Sequence, residues 1–501
     1  MFILYKGIRV RLSDLNFIKI QGFTICGTCD LCGKAIFLFL SQQNGDYGCP
    51  RCKQKSDRVN KVALYPFDDN SELRTTKDTK KIADKVVKDP IEGVKGRSYL
   101  QKIAYNYIEN TACDIMHIII NLGKRLNSIW FDSQFHDHEA SLRQHLNLVN
   151  ERMNALRPPD FVPRKPRTVD NSGYWKASEI KWFLLAFSLV LLHDIMKDKY
   201  FQHHMLLVNG LSILLSQSIS KEDLQEAKIC LSEYVKRFEN LYGKSHMTCN
   251  LHQLLHLIET VIRFAPLFIT SCFPFENLNF ILKNLVKGSK HPELQIVSSF
   301  TQFSKFISFK NNFITPNKEV LTFCENVINR SKRKRKILKI ESKLYIVGTF
   351  KKLCITDYDV IEAFGPLYKH NDEALKFRRV LYNSILYETH SYCEKKLTNS
   401  SCVIYTKNNE KRVRIIQLFV KIKSKENNQI KTYAIIKQCV SLNSFYCNFS
   451  KSYVRTTFLC KELKNLKPIA IEIQNIKSVC FHIIINDLMF VVEPCNVIKM
   501  E

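Results

Sequence analysis

The spacing of apolar residues changes several times along the chain, and each change predicts a different kind of element. Within residues 1–60, "KGIRVRL", "FIKIQGFTIC" and "KAIFLFL" are short apolar runs separated by polar breaks, which predicts strands and turns. Residues 68–92 are polar and charged, which predicts a surface connection or an exposed helix. From Tyr99 to Phe131 the period becomes helical. "RPPDFVPRKPR" (Arg157–Arg167) predicts an extended segment, because each proline pushes the residue before it out of the helical region. Residues 175–262 then read as helix almost throughout. They include the amphipathic run "KEDLQEAKICLSEYVKRFENLYG", for which Gly243 supplies a stop.

The most apolar run is "WFLLAFSLVLL" (Trp182–Leu192). It is shorter than the ~20 residues a bilayer demands, and Lys181 and His193-Asp194 flank it, so it predicts a buried core helix rather than a membrane span. Beyond the basic run "NRSKRKRK" (Asn329–Lys336) the period returns to that of strands. "SCVIYTK", "KRVRIIQLFVKIK", "KTYAIIKQC", "SVCFHIII" and "LMFVVEP" predict a small β sheet or barrel. The basic run itself suits a solvated linker or a nuclear import signal.

Charge adds what the apolar pattern cannot. Over 501 residues, 75 Lys and Arg stand against 47 Asp and Glu, a net +28, while 45% of residues are hydrophobic, as in an ordinary globular chain. Such an excess attracts polyanions, and nucleic acid is the commonest one inside a cell. The alternative is a set of solvated lysines with no partner. The N-terminal apolar run breaks at Lys6, too early for a secretory signal, so the 18 cysteines are expected as reduced thiols in the nucleus or cytosol.

Some of those thiols have metal-ligand spacing. Cys29-x-x-Cys32 and Cys49-x-x-Cys52 match a four-cysteine zinc site, with Cys26 to spare. "TICGTCDLCGKAIFLFL" nevertheless also reads as a strand entering a helix. His252 and His256 lie four apart on one helical face, which is ligand spacing too, although packed and hydrogen-bonded histidines are the commoner case on an apolar helix. Three acids sit at the ends of predicted elements: Asp30 after a strand, Asp114 opening an apolar helix, and Glu276 after a Pro turn. Cleavage of a phosphodiester by two divalent ions needs carboxylates from distant parts of a chain to meet around ions ~4 Å apart.

The order of motifs carries a resemblance. "GTCDLCGKA", "NGDYGCPRC", "GVKGRSYL", "CDIMHIIINLGKRLNSIWFD", "RPPDFVPRKPR", "YWKASEIKWFLLAF", "LYGKSHMTCNLHQLLHL", "RFAPLFITSCFPFENLN" and "GSKHPELQI" follow one another over about residues 1–300. In that order the chain resembles the transposases of the CACTA (En/Spm) class of DNA transposons, in their animal form. The resemblance implies an RNase H-like core in which an Asp, Asp, Glu triad holds two Mg²⁺ ions. It places Asp30 as the second acid and Glu276 as the third, with Asp114 and His117 as a supporting pair. Cys32 and Gly33 stand where the family has Pro and Ala. Cys49 and Cys52 belong to the family pattern, whereas Cys32 is particular to this chain, which weakens the four-cysteine reading.

The expected fold is therefore α/β plus α. It has a partial RNase H-like core (1–123), a helical insertion (124–262), a return to the core with the third acid (263–328), a basic linker (329–344) and a β-rich C-terminal domain (345–501). The strand that would bear the first acid is expected to be missing, since Asp14 does not follow a long apolar strand. The functional expectation is a nuclear, transposase-derived protein that holds DNA electrostatically with little sequence readout and without catalysis. Mg²⁺ would be its ion if active, Zn²⁺ would sit on the cysteines, no membrane is involved, and a homo-oligomer is open. Two rivals stay open: an incomplete copy of an active metal-dependent transposase, and a non-catalytic protein-interaction module.

Overall fold

The computed structural model describes residues 8–11, 17–20, 26–102, 106–313, 319, 337–353, 358–365, 373–407, 410–424, 429–438, 440–461 and 467–495. Asp14 and the basic run Asn329–Lys336 lie outside them. The described residues form a mixed α and β protein, with a helical region followed by a large antiparallel sheet.

At the N-terminal end, β1 (Ile8–Arg11) and β2 (Phe17–Ile20) pair antiparallel. β3 (Gly27–Thr28) leads into α1 (Leu31–Leu38), so the "KAIFLFL" run expected as a strand is mostly helix. Asp30 decides this: its side chain accepts the amide of Gly33 and its carbonyl accepts that of Lys34, which starts a helix at that point. The hairpin β4 (Asp57–Val59) to β5 (Val62–Leu64) and helix α2 (Thr76–Ala83) follow. β6 (Thr111–Ala112) then lies parallel to β3 and leads into α3 (Ile115–Phe131). That one short pair is the parallel sheet among the described residues; the wider sheet of an RNase H-like core is not among them.

The helical region continues through α4 (Leu146–Ala155), α5 (Ala177–Trp182), α6 (Ser188–Leu191), α7 (Asp198–Leu214) and α8 (Lys221–Tyr242). It closes with α9 (Cys249–His252), α10 (Leu257–Phe264), α11 (Phe273–Leu285) and α12 (Pro292–Phe313). The boundary expected at 123/124 falls inside α3. "WFLLAFSLVLL" is buried throughout, as its composition predicts, but it is not a uniform helix: Phe183–Phe187 form a π-helical turn between α5 and α6. Its carbonyls at the far end are met by buried Arg152, which donates to Leu191 and His193 and pairs with Asp194 at 2.8 Å. α7 is buried on every side from Tyr200 to Leu214, its polar Gln202, His203, His204, Asn209 and Ser212 included. α8 starts on a Ser220–Asp223 capping box and stops at Gly243, whose φ of +96° favours glycine, as the sequence predicted. No helix among the described residues is long and apolar enough to cross a membrane.

The C-terminal part is larger than the small sheet or barrel expected. A four-stranded sheet runs in the order β12 (Ile385–Glu388), β11 (Arg379–Tyr382), β8 (Leu344–Val347), β7 (Ile337–Glu341). β7 begins within the span expected as linker. A ten-stranded antiparallel sheet joins β16 (Val440–Cys447), β17 (Ser452–Lys461), β20 (Leu488–Val492), β19 (Ile476–Ile485), β13 (Cys402–Lys407), β14 (Glu410–Lys423), β10 (Glu373–Phe377) and β9 (Phe350–Lys352). β15 (Ile430–Gln438) pairs with β14 and with β18 (Ile469–Glu472). One face of this sheet shares the helical core: Phe481, Ile483, Phe490 and Val492 pack in the same cluster as Phe187 and Leu206.

Candidate metal centre

The "NGDYGCPRC" turn carries Cys49 and Cys52 into the interior beside His252 and His256. All four are buried, and their ligand atoms lie within 4.8 Å of one another. Cys52 Sγ is 3.2 Å from His252 Nε2, Cys49 Sγ is 3.4 Å from His256 Nε2, and the two Nε2 atoms are 3.0 Å apart. In a tetrahedral zinc site with ordinary Zn–S and Zn–N bonds these edges span about 3.3–3.8 Å, so the four ligands need only a small outward shift, a few tenths of an ångström, to admit an ion. Two softer thiolates and two imidazoles are a donor set that suits zinc. All four positions come from protein and none faces solvent, which is the closed form of a structural site rather than the open form of a catalytic one.

The surroundings hold each ligand in place. Gly48 lets the turn pass against Tyr65: a Cβ there would sit 2.9 Å from the phenolic oxygen and 2.2 Å from the carbonyl of Gln42. Tyr65 accepts the Gly48 amide at 2.9 Å and stacks on the His252 ring at 5.3 Å. The Arg51 amide and the Gln253 side chain both donate to Cys49 Sγ, at 3.4 and 3.3 Å. Buried Arg51 pairs with Glu259 at 2.6 Å and donates to the Ile108 carbonyl at 2.8 Å. Burial alone pushes the Cys49 thiol up, yet its hydrogen bond with Cys52 and the two imidazoles hold it well below the usual thiol range. Cys52 rises in turn, because it hydrogen-bonds to the Cys49 thiolate and is itself buried. The hydrogen bond from Cys52 and the two imidazoles thus favour the thiolate form at Cys49, the form a metal binds.

This arrangement corrects the expected four-cysteine set. Cys29 is half-buried and Cys32 is exposed, and neither belongs to the cluster with Cys49 and Cys52. Both lie at the start of α1, Cys29 just before the Asp30 cap and Cys32 in the first turn. The missing ligands are the two histidines, read from sequence as packing residues. Each motif supplied half a site: a C-x-x-C turn and an i, i+4 histidine pair, 200 residues apart. The supporting roles of Gln253, Arg51 and Tyr65 carried no sequence signal.

The acids lie at the neighbouring parallel pair. Thr28 is the register partner of Ala112, and Asp30 and Asp114 each stand two residues past these ends of their strands. Both are helix N-caps. Asp114 is buried and fully engaged. Oδ1 accepts from the amides of Met116 (3.2 Å) and Cys272 (2.8 Å), while Oδ2 accepts from the His117 amide (3.1 Å) and a short hydrogen bond from His117 Nδ1. Burial alone would raise the Asp114 carboxyl, but these donors hold it below the usual carboxylate value. His117 is raised, chiefly by that hydrogen bond and further by the charges of Asp114, Asp30 and Glu276. Asp114, His117 and Cys272 form a tight group with ligand atoms within 4.8 Å; half-buried Asp30 and exposed Glu276, on the first turn of α11, stand outside it.

Metal centre and acids are linked. Gln253 donates to Cys49 Sγ and accepts from the Cys113 thiol at 3.5 Å, and Cys113 directly precedes Asp114. A scan of the chain against family models finds no match, and a search of the curated proteins finds none.

Proposed function

We propose that this chain is a transposase-derived protein of the CACTA class that associates with DNA in the nucleus without catalysing strand cleavage. The observation that supports it most is the register of β3 and β6. Two adjacent parallel strands each run into a helix capped by an acid, Asp30 on one and Asp114 on the other. A converging arrangement of this kind is what an RNase H-like core uses to gather carboxylates. The helix bearing Glu276 is tied to the same place through the Cys272 amide on Asp114.

The same atoms argue for lost catalysis. Two-ion phosphodiester chemistry needs carboxylate oxygens free to neutralise the ions. Asp30 and Glu276, the two triad positions the resemblance supplies, stand outside the tight group around the supporting Asp114, and among the described residues no group of three carboxylates meets around one point to hold the ions in place of the missing first acid. The zinc centre serves as a staple that fixes the Cys49–Cys52 turn to the helical region. DNA would be held through the +28 charge, with phosphate contacts that give position rather than sequence.

The test is a duplex-binding titration over a range of salt, run beside a plasmid-nicking assay in Mg²⁺. The reading expects affinity that falls steeply with salt and no nicking. Nicking that disappears in Asp30→Asn and Glu276→Gln would replace it with an active transposase. A second reading, a protein-interaction module, is favoured by Phe275, Phe280, Phe300 and Phe303, which stand exposed on α11 and α12. Nuclear partners retained after nuclease treatment, together with a flat salt response, would select it.

A further inference from the structure

A pocket of about 190 Å³ lies between the short β3–β6 pair and α1. Lys34, Phe37 and Leu38 line it from α1, Thr28 and Thr111 from the strands, and Leu100 and Tyr107 complete it. Lys34 is the residue that the packing of α1 does not explain. It stands one turn before Leu38 on the buried face of the helix, where an amphipathic pattern calls for an apolar side chain, and only 2% of it is exposed.

The Lys34 ammonium makes no hydrogen bond and no ion pair among the described residues. Asp30, four residues earlier, turns Oδ1 to the Gly33 amide instead. The Lys34 charge reaches the thiols of Cys26 and Cys29, where it opposes the rise that burial imposes, which puts it on the strand side of α1 with the pocket. An ammonium taken out of water without a counter-ion is strongly unfavourable, and a methionine would fill the same space without that cost. Two more polar groups here have bonding capacity to spare. The Tyr107 hydroxyl accepts from Gln101 Nε2 at 3.3 Å, which leaves its own proton to donate. The half-buried Asn110 side chain, also in the lining, has no partner among the described residues. Phe37, Leu38 and Leu100 make the rest of the wall apolar.

We infer that this pocket binds a small monocarboxylate with an apolar body, of about the size of benzoate. The carboxylate pairs with Lys34 and accepts from Tyr107 and Asn110, while the body rests on Phe37, Leu38 and Leu100. One buried cation matches one negative charge, and the apolar wall needs a partner that a bare inorganic anion lacks. The volume agrees: a dry cavity of about 150 Å³ admits benzene, and a carboxyl group adds only three heavy atoms. The inference goes beyond the DNA association proposed above and does not depend on it, so the two fail separately.

The full chain is titrated with benzoate, with the neutral benzyl alcohol and with inorganic phosphate, by ligand-observed NMR and calorimetry. Benzoate is expected to bind at least roughly tenfold more tightly than either of the others. Lys34→Met should lose that preference and take the alcohol over benzoate, and it should melt no lower than wild type, because a buried charge has gone. Tyr107→Phe, which keeps Lys34, should weaken benzoate by roughly tenfold and leave the alcohol unchanged. Phe37→Ala should weaken both aromatic ligands alike. No binding of benzoate, or equal affinity for benzoate in wild type and Lys34→Met, would overturn the assignment. So would phosphate that binds as tightly as benzoate, which would mark a plain anion site. Duplex binding that persists in a chain without benzoate affinity would strike the pocket and leave the DNA reading standing.

Discussion

Cys52 Sγ and His252 Nε2 lie 3.2 Å apart although 200 residues separate them in the chain. With Cys49 and His256 they make a closed set of four ligands, and this predicts metal content directly. Purified protein should carry about one zinc per chain by elemental analysis. Cys52→Ser and His252→Ala should abolish it, and chelation should lower the unfolding temperature by many degrees, because metal binding to a folded site is folding energy. Cys29→Ser and Cys32→Ser should leave zinc content unchanged. Gln253→Ala, which removes a donor to Cys49 Sγ, should weaken zinc affinity by about 10–100-fold. Zinc lost in the Cys29 or Cys32 variant but kept in the His252 variant would restore the four-cysteine site.

Asp114 and His117 predict a pH window for stability. Asp114 has a lowered folded pKa, so its contribution is complete above the unfolded value near 4 and is lost as pH falls through the folded value. His117 has a raised folded pKa, so its contribution is complete below the unfolded value near 6.5 and is lost as pH rises through the folded value. The pair therefore stabilises most between about pH 4 and 6.5. Asp114→Ala removes a helix cap and leaves the Cys272 amide buried without its acceptor, a cost of about 2–4 kcal/mol. Urea midpoints of wild type and His117→Ala, measured from pH 4 to 9, should converge at the alkaline end. A constant gap across that range would disprove the pairing.

Gly123 sets two opposing effects against each other. A Cβ there would meet Ile180 Cγ2 at 2.4 Å, where α3 crosses α5. Helix propensity favours Ala by up to about 1 kcal/mol, while overpacking costs about 1–3 kcal/mol. Gly123→Ala should therefore destabilise by about 1–2 kcal/mol. In Ile180→Ala the obstructing methyl is gone, and the same Gly123→Ala change should turn neutral or stabilising. A double-mutant cycle in denaturant reads this coupling; strictly additive effects would mean the helices do not meet there.

What was legible in the sequence was local. Apolar period placed the buried run Trp182–Leu192 and the stop at Gly243, because both depend on residues a few positions apart. "KAIFLFL" misled because its β-forming residues lie downstream of a cap, and Asp30 with the Gly33 amide outweighs propensity there. The metal centre was half legible. Each ligand pair announces itself by spacing, but nothing local says that Cys49 and Cys52 take His252 and His256 in preference to Cys29 and Cys32. That choice is made by Tyr65, Arg51 and Gln253, which fix the turn against the helices. The size of the C-terminal sheet was hidden for the same reason, since strand pairing is a long-range property.

The junction of the helical region with that sheet yields the last prediction. Phe481 on β19 meets Phe187 edge-on at 4.7 Å within a shared core, while Arg455 on β17 donates its amide to Asn209 and pairs with Asp223 and Glu226. The Arg455 side chain is 41% exposed and its partners 22%, so water screens these pairs and Arg455→Ala should cost no more than about 1 kcal/mol. Phe481 is buried, and Phe481→Ala should cost about 3–5 kcal/mol through lost transfer energy and the cavity it leaves. Because the core is continuous, helical and sheet signals should melt together in wild type. In Phe481→Ala they should separate into two transitions by calorimetry, with the sheet losing its support first. A larger loss in Arg455→Ala than in Phe481→Ala would mean that charge, not apolar burial, holds the two regions together.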